Sequence, residues 1–318
     1  MALSDWAQQR VLLTGGAGFL GRMIANQLRE RGAKEIHIPR SSEHDLRHAG
    51  VVQDLIARVS PTLIIHAAAT VGGIGSNREQ PGTYFYDNLA MGMNLLETAR
   101  HAPATKVVIV GTVCSYPKFT PLPFREESLW DGFPEETNAP YGIAKKALLV
   151  QGQAYRDQFR LNSIHVIPVN LYGPGDNYAR GSSHVIPAII DKCLDANEQE
   201  RDEITLWGTG SATRAFLYVD DAARGIIDAA ERYDGRDPIN LGSEAEISIR
   251  NLASTIAAAT GFRGRIKWDA SMPDGQPRRS VSSARARAFL DWSPSVSLEE
   301  GLALTVADRI QARQGRQG

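Results

Sequence analysis

A chain of 318 residues with 35 lysines and arginines against 36 aspartates and glutamates carries a formal charge of −1, so neither nucleic acid nor a membrane surface is expected as a partner, and any anion site must be local. No stretch reaches the ~18 apolar residues that span a bilayer, and Met1 to Arg10 lacks the apolar core of a signal peptide, so a soluble, cytoplasmic protein is expected. The length suits two lobes; Cys114 and Cys193 are too few for a disulfide framework and lack metal-ligand spacing, so both read as thiols and no metal is expected.

In chain order, Val11 to Thr14 reads as a buried strand, Phe19 to Arg31 as a helix closing at Gly32, Glu35 to Pro39 as a strand, Val51 to Val59 as a helix and Leu63 to His66 as the next strand. A loop from Val71 to Pro81 then precedes a helix from Tyr84 to Arg100, a strand from Lys106 to Val110, a long helix from Tyr141 to Phe159 and a strand from Ile164 to Val169. This alternation predicts an α/β fold, a Rossmann-type doubly wound parallel sheet with helices on both faces. Beyond Asn170 the chain turns to Gly/Pro-punctuated loops, among them Tyr172-Gly173-Pro174-Gly175 and Trp207-Gly208-Thr209-Gly210, which predict a smaller C-terminal lobe. Residues 1–170 are expected to bind a dinucleotide, with the sheet completed by 216–243 through a helix starting at Tyr218 to Asp221 and a strand from Pro238 to Gly242. Residues 171–318 are then mainly a substrate lobe, with a helical part from Ile249 to Thr260 and a polar, frayed tail from Gln311.

Gly15-x-x-Gly18-x-x-Gly21 lies between the first strand and the first helix. Glycines there allow a tight turn and close backbone approach, and a helix N-terminus attracts the pyrophosphate of a dinucleotide. Phe19 and Leu20 belong to the same turn. An acidic residue after the second strand would bond a ribose 2′-hydroxyl, whereas an arginine accommodates a 2′-phosphate. Arg40, followed by Ser41 and Ser42, therefore favours NADP(H), with NAD(H) left open. Asp45 and Leu46 are placed to meet the adenine, and the small side chains of Ala67, Ala68 and Ala69 would let backbone approach the cofactor.

Tyr141 and Lys145 are four residues apart on a helix and so project from one face. A nearby positive charge favours a phenolate, and a tyrosine so placed is expected to shuttle a proton near neutral pH. With Thr112 beside them, the arrangement resembles the extended short-chain dehydrogenase/reductases that act on nucleotide sugars. Within that family, Val71-Gly72-Gly73-Ile74, Gly111-Thr112-Val113-Cys114-Ser115-Tyr116-Pro117, Glu136 to Tyr141, Asn170 to Asn177, Ser183-His184-Val185-Ile186-Pro187-Ala188 and the Trp207 loop are similar to the GDP-L-fucose synthases over nearly the whole chain.

The resemblance implies C3 and C5 epimerisation of a GDP-4-keto-6-deoxyhexose followed by reduction at C4 by NADPH. Cys114 and His184 match the family's epimerisation pair, a thiol and an imidazole whose ordinary pKa values suit proton transfer near neutrality. Thr112 and Tyr141, with Lys145, would hold the ketone oxygen, and Tyr141 would give it a proton. The resemblance also places Pro168, Asn170 and Leu171 along the cofactor, and Asn170, His184, Lys192, Trp207, Arg214 and Arg279 at the substrate, with Arg214 on the diphosphate. It implies a homodimer through the helices of Tyr84 and Tyr141. The chain departs from the family at Ala17, where a basic residue of the glycine turn is usual, and at Val113, Thr70, Ala215 and Ser282 in place of a usual serine, lysine, glutamate and aspartate. Two alternatives stay open: an NAD-dependent epimerase without net reduction, similar to GDP-mannose 3,5-epimerase, and a non-catalytic dinucleotide sensor.

Overall fold

Val11 to Leu13, Leu63 to Ile65 and Val107 to Val110 are buried on both faces, as parallel strands covered by helices on each side must be. The structure, a computed structural model, describes residues 5–102, 105–179, 181–272 and 274–315. Its strands are β1 (Arg10–Thr14), β2 (Glu35–His37), β3 (Leu63–His66), β4 (Lys106–Val110), β5 (Asn162–Pro168), β6 (Asn170–Tyr172), β7 (Glu203–Trp207), β8 (Thr213–Arg214), β9 (Phe216–Tyr218), β10 (Ile239–Leu241), β11 (Ile247–Ser248), β12 (Arg265–Asp269) and β13 (Arg278–Arg279). The helices are α1 (Phe19–Glu30), α2 (Ala49–Val59), α3 (Ile74–Glu79), α4 (Pro81–Ala99), α5 (Ala139–Phe159), α6 (Val185–Glu198), α7 (Val219–Arg232), α8 (Ile249–Thr260), α9 (Ala284–Leu290) and α10 (Leu298–Gln314).

Six strands form a parallel sheet in the order β10-β5-β4-β3-β1-β2. This is the Rossmann-type doubly wound sheet that the alternation predicts, with β10 returning from the C-terminal half. Ile24 and Leu28 of α1 join Ile226 of α7 in the core on one face, while Val52 of α2, Leu95 and Leu96 of α4 and Leu148 of α5 fill the other. A separate core under the C-terminal lobe gathers Ile186, Ile190, Leu206, Leu252, Ile256 and Leu302. From β1 the chain moves outward to β2 and then back across to β3, so the strand order reverses between β1 and β3. Open sheets of this kind take ligands in the crevice beyond the carboxyl ends of the strands at such a point.

The second strand ends at His37, short of the expected Pro39, because a proline has no N–H to pair with a neighbouring strand. Within the expected loop Val71–Pro81 lies α3, whose sequence has no apolar periodicity. Side-chain bonds hold it: Asn77 Nδ2 donates to Gly72 O at 2.8 Å and Gly73 O at 3.0 Å, and Ser76 Oγ lies 2.5 Å from Tyr84 OH. The tail is not frayed from Gln311, since α10 continues to Gln314. Arg309 pairs with Asp191 at 2.7 Å, and Arg313 reaches Asp191, Asp195 and Glu198 at 2.6, 2.8 and 3.0 Å, tying the last turns of α10 to α6. No helix among the described residues is long and apolar enough to cross a membrane.

Candidate active site

At the reversal of strand order, Thr14 at the end of β1 is in register with His66 at the end of β3, so the glycine turn and the Ala67–Ala69 run face each other. Gly15 has a φ of 73°, and a side chain there would bring its Cβ within 2.6 Å of Ala68 N. A Cβ on Gly21 would lie 2.1 Å from Gly15 O, so the first turn of α1 can press against the loop only as glycine. The amides opening α1 therefore face a cleft of about 1560 Å³. Along this arm run Gly15, Gly18, Phe19, Leu20 and Gly21 from the turn, Arg40, Asp45 and Leu46 after β2, Ala67 to Ala69 after β3, and Pro168, Asn170 and Leu171 at the end of β5 and start of β6.

This cradle, shaped by the missing Cβ atoms and opened by a helix N-terminus, fits a dinucleotide. The side chain of Arg40 is exposed beside Ser41 and Ser42 and, among the described residues, makes no hydrogen bond or ion pair, leaving its charge free for a phosphate. Asp45 is an anion held by Arg47 at 2.7 Å, a contact that brings its carboxyl down to about 2. Near Ala17 the available cation is Arg22, which donates to Ala17 O at 3.2 Å and Gly175 O at 2.8 Å and is thus committed to backbone.

Beyond the end of β4, Thr112 caps a short 3-10 turn, Val113–Ser115, its Oγ1 accepting from Cys114 N at 3.2 Å. α5 packs directly on that turn. A Cβ on Gly142 would come within 2.3 Å of Cys114 O, and Ser115 Oγ donates to Gly142 O at 2.9 Å. The glycine between Tyr141 and Lys145 is what brings their helix close enough for both to share a site with Cys114. Lys145 is 1% exposed, its Nζ donates to Ala68 O at 3.4 Å, and burial pulls its ammonium down to about 8.

The phenol of Tyr141 departs from the sequence expectation. Burial pushes it above the ordinary tyrosine value, Cys114 adds to the rise, and a hydrogen bond with Thr112 opposes both. Desolvating the anion costs more than the Thr112 hydrogen bond returns, so in the free protein the phenol is held in its protonated form.

The other wall comes from the C-terminal lobe. His184 caps the start of α6 and Lys192 lies two turns along it, Nζ donating to Thr205 O at 2.6 Å. The His184 ring is open to water in the cleft yet closely surrounded by protein, and this desolvation, with the charge of Arg279, lowers its pKa. Trp207 ends β7 with its indole exposed at the rim. β8 and β13 run parallel with Arg214 directly paired to Arg279, setting two guanidinium residues side by side. Burial, then the Arg279 charge, brings Arg214 down to about 10. Arg214 donates to Thr213 O at 2.7 Å and more weakly to Pro277 O and Asp274 O, both at 3.4 Å. Among the described residues neither arginine pairs with a carboxylate, which suits this wall to an anion.

The residues assigned in the sequence to the chemistry, the cofactor and the substrate thus line one cleft. Cys193, by contrast, is fully buried, which pushes its thiol up to about 11. A glutamine between Gly275 and Pro277 gives no signal in the sequence, yet buried Gln276 lines the same cleft and bonds Arg279 three residues on.

Residues 11–242 match the NAD dependent epimerase/dehydratase family. The chain is 37% identical over 296 residues to GDP-L-fucose synthase 1 of Arabidopsis thaliana, covering 93% of this chain and 91% of that protein. It is 38% identical over 295 residues to the GDP-L-fucose synthase of Sinorhizobium fredii, covering 93% of each. The crystal structure of a GDP-L-fucose synthetase from Naegleria fowleri bound to NADP superposes with a TM-score of 0.86 at 28% identity, covering 99% of this chain and 97% of that one. The chain belongs to the NAD dependent epimerase/dehydratase family and, within it, to the GDP-L-fucose synthases.

Proposed function

We propose that this protein converts a GDP-4-keto-6-deoxyhexose by epimerisation at C3 and C5 and then reduction at C4, using NADP(H). The observation that carries this reading is the meeting in one cleft of Thr112, Tyr141 and Lys145 with a second pair of proton-transfer groups, Cys114 and His184, which a simple reductase does not need. Hydrogens on carbons beside a ketone are acidic because the carbanion delocalises as an enolate, and inversion needs a base on one face and an acid on the other. One of Cys114 and His184 takes the proton, the C–H electron pair enters the enolate, and the other returns a proton from the opposite face. Thr112 and Tyr141 donate to the C4 oxygen, where negative charge develops, and their being held in place beforehand is what makes them effective.

NADPH, when bound, supplies the hydride for C4. Tyr141 supplies the matching proton to the C4 oxygen, a role that suits its raised pKa, while Lys145 keeps positive charge behind it. Arg214, Arg279 and Lys192 would hold the diphosphate, and Arg40 the 2′-phosphate of the cofactor. In this reading residues 1–170 with 216–243 serve the cofactor and 171–318 mainly the sugar nucleotide. Two free thiols suit a reducing compartment such as the cytoplasm. A homodimer through α4 and α5 belongs to the same reading, supported by Tyr86, Met93 and Val150, which stay exposed on those helices.

The test is stoichiometry with a GDP-4-keto-6-deoxyhexose. One NADPH should be consumed per sugar nucleotide, with deuterium from heavy water appearing at C3 and C5. Isomerisation without NADPH consumption would replace this reading with that of an epimerase. Tyr141→Phe should fold normally and lose at least about 100-fold in reduction, the usual scale for a missing general acid.

A further inference from the structure

Gln276 sits in the loop entering β13, buried, its Nε2 donating to Lys118 O at 3.0 Å. Its Oε1 accepts from two nitrogens of Arg279, Nε at 3.1 Å and Nη2 at 3.0 Å. That grip occupies one edge of the guanidinium and turns Nη1 outward, 3.6 Å from Cys114 Sγ and 3.5 Å from Asn170 Oδ1. Asn170 is itself fixed, because its Nδ2 donates to Ala215 O at 2.8 Å.

A guanidinium has donors only and stays charged. Here it is 7% exposed and is steadied by a neutral amide; among the described residues no carboxylate pairs with it. A glutamate in place of Gln276 would give the same geometry and cancel the charge. The charge therefore reaches the sulfur with no paired carboxylate among the described residues to offset it, and it also reaches the His184 ring.

We infer that Gln276 and Arg279 are positioning residues for proton transfer at Cys114: the amide aims the guanidinium, and the guanidinium fixes the sulfur and keeps a positive charge beside it. This rests on the reading of Cys114 as a proton-transfer group. When Cys114 returns a proton to the enolate carbon, the S–H bonding pair stays on sulfur, and a fixed cation beside the sulfur stabilises the charge that develops there. Arg279 therefore acts through Cys114 and Asn170, in addition to any contact with the substrate phosphates.

Alkylation of Cys114 in the folded protein, free of substrate, reads the charge at the sulfur directly. Rates with anionic iodoacetate and neutral iodoacetamide are compared, modification is assigned by peptide mass spectrometry, and buried Cys193 serves as the unreactive control. The ratio of iodoacetate to iodoacetamide rates is expected to fall at least about fivefold in Arg279→Gln, the effect of one unit charge at about 4 Å even in bulk water. Arg279→Lys should restore most of it. Gln276→Leu, which keeps the charge but frees the arm, should fall between, and it carries the comparison if Arg279→Gln does not fold.

A ratio unchanged in folded Gln276→Leu and Arg279→Gln overturns the inference. In parallel, deuterium uptake at C3 and C5 of the keto sugar should drop several-fold in Gln276→Leu with the KM for NADPH unchanged. Failure of the wild-type protein to take up deuterium sinks the functional reading while leaving the alkylation result standing. Normal uptake with an insensitive ratio sinks only the inference.

Discussion

Lys145 shows how function and stability pull apart at a single residue. An ammonium that is 1% exposed and drawn from 10.5 down to about 8 by burial is held in place at a cost. At ~1.4 kcal/mol per pKa unit that cost is on the order of 3 kcal/mol. The folded value lies below the unfolded one, so the penalty is complete below about pH 8 and is relieved as pH rises towards 10.5. Lys145→Met should therefore raise the melting temperature at pH 7, lose that advantage by pH 10, and abolish turnover; differential scanning calorimetry across pH with a matched activity assay checks all three. In the wild type, reduction should decline above about pH 8 as Lys145 loses its proton. Arg40 offers the complementary case, an exposed cation whose side chain has no partner among the described residues. Arg40→Ala should weaken NADP binding about tenfold, the scale of one charge-assisted hydrogen bond, while leaving NAD binding nearly unchanged, measured by titration calorimetry. The placement of Tyr141, Lys145 and Arg40 along one cleft was legible in the sequence because each rests on local spacing. The protonation state of Tyr141 was not, since it depends on how much protein closes around the phenol.

At the level of elements, α5 joins both halves of the candidate chemistry. Its first turn carries Tyr141, its second carries Lys145, and between them Gly142 lets the Cys114 turn dock at the helix surface. Alanine is the better helix former by about 1 kcal/mol, so intrinsic propensity favours Gly142→Ala. Contact geometry opposes it: the new Cβ would meet the backbone carbonyl of Cys114 at 2.3 Å, and backbone cannot rotate away as a side chain can. The clash should win, with a net destabilisation of about 1–3 kcal/mol and a loss of deuterium exchange at C3 and C5 exceeding the loss of helix by circular dichroism. Periodicity marked α5, α4 and α8 in the sequence because each buries one stripe. It missed α3, which is held by side-chain bonds to nearby Gly72, Gly73 and Tyr84 rather than by an apolar stripe. It also missed β7, β12 and α10, whose partners lie far along the chain: β12 exists by pairing in parallel with β7, and the last turns of α10 by the reach of Arg313 to α6.

At the scale of the whole molecule, the sheet determines where ligands go, and the C-terminal lobe closes the cleft from the other side with residues drawn from α6, β7, β8 and β13. The sheet was readable from alternation alone. The lobe was expected from its Gly/Pro-punctuated loops, but its internal pairing was not legible, since its short strands pair across large sequence separations and Arg214 and Arg279 come side by side only through β8 and β13. The proposed dimer face is the outer side of α4 and α5, which pack on each other. Scattered apolar residues on a surface are ordinary, but Met93 and Val150 belong to one patch, because Gln151 Nε2 donates to Met93 O at 3.3 Å and so joins the two helices there. If the protein dimerises through this face, each copy buries that patch against its twin, and a two-fold axis places every substitution in the interface twice. Met93→Glu with Val150→Glu should then convert a dimer into a folded monomer in sedimentation velocity, since four carboxylates would have to be desolvated together. Neither Met93 nor Val150 lines the cleft, so NADP binding by the monomer should stay within a few-fold of the wild type. A dimer that survives the double substitution unchanged would mean that the copies meet elsewhere.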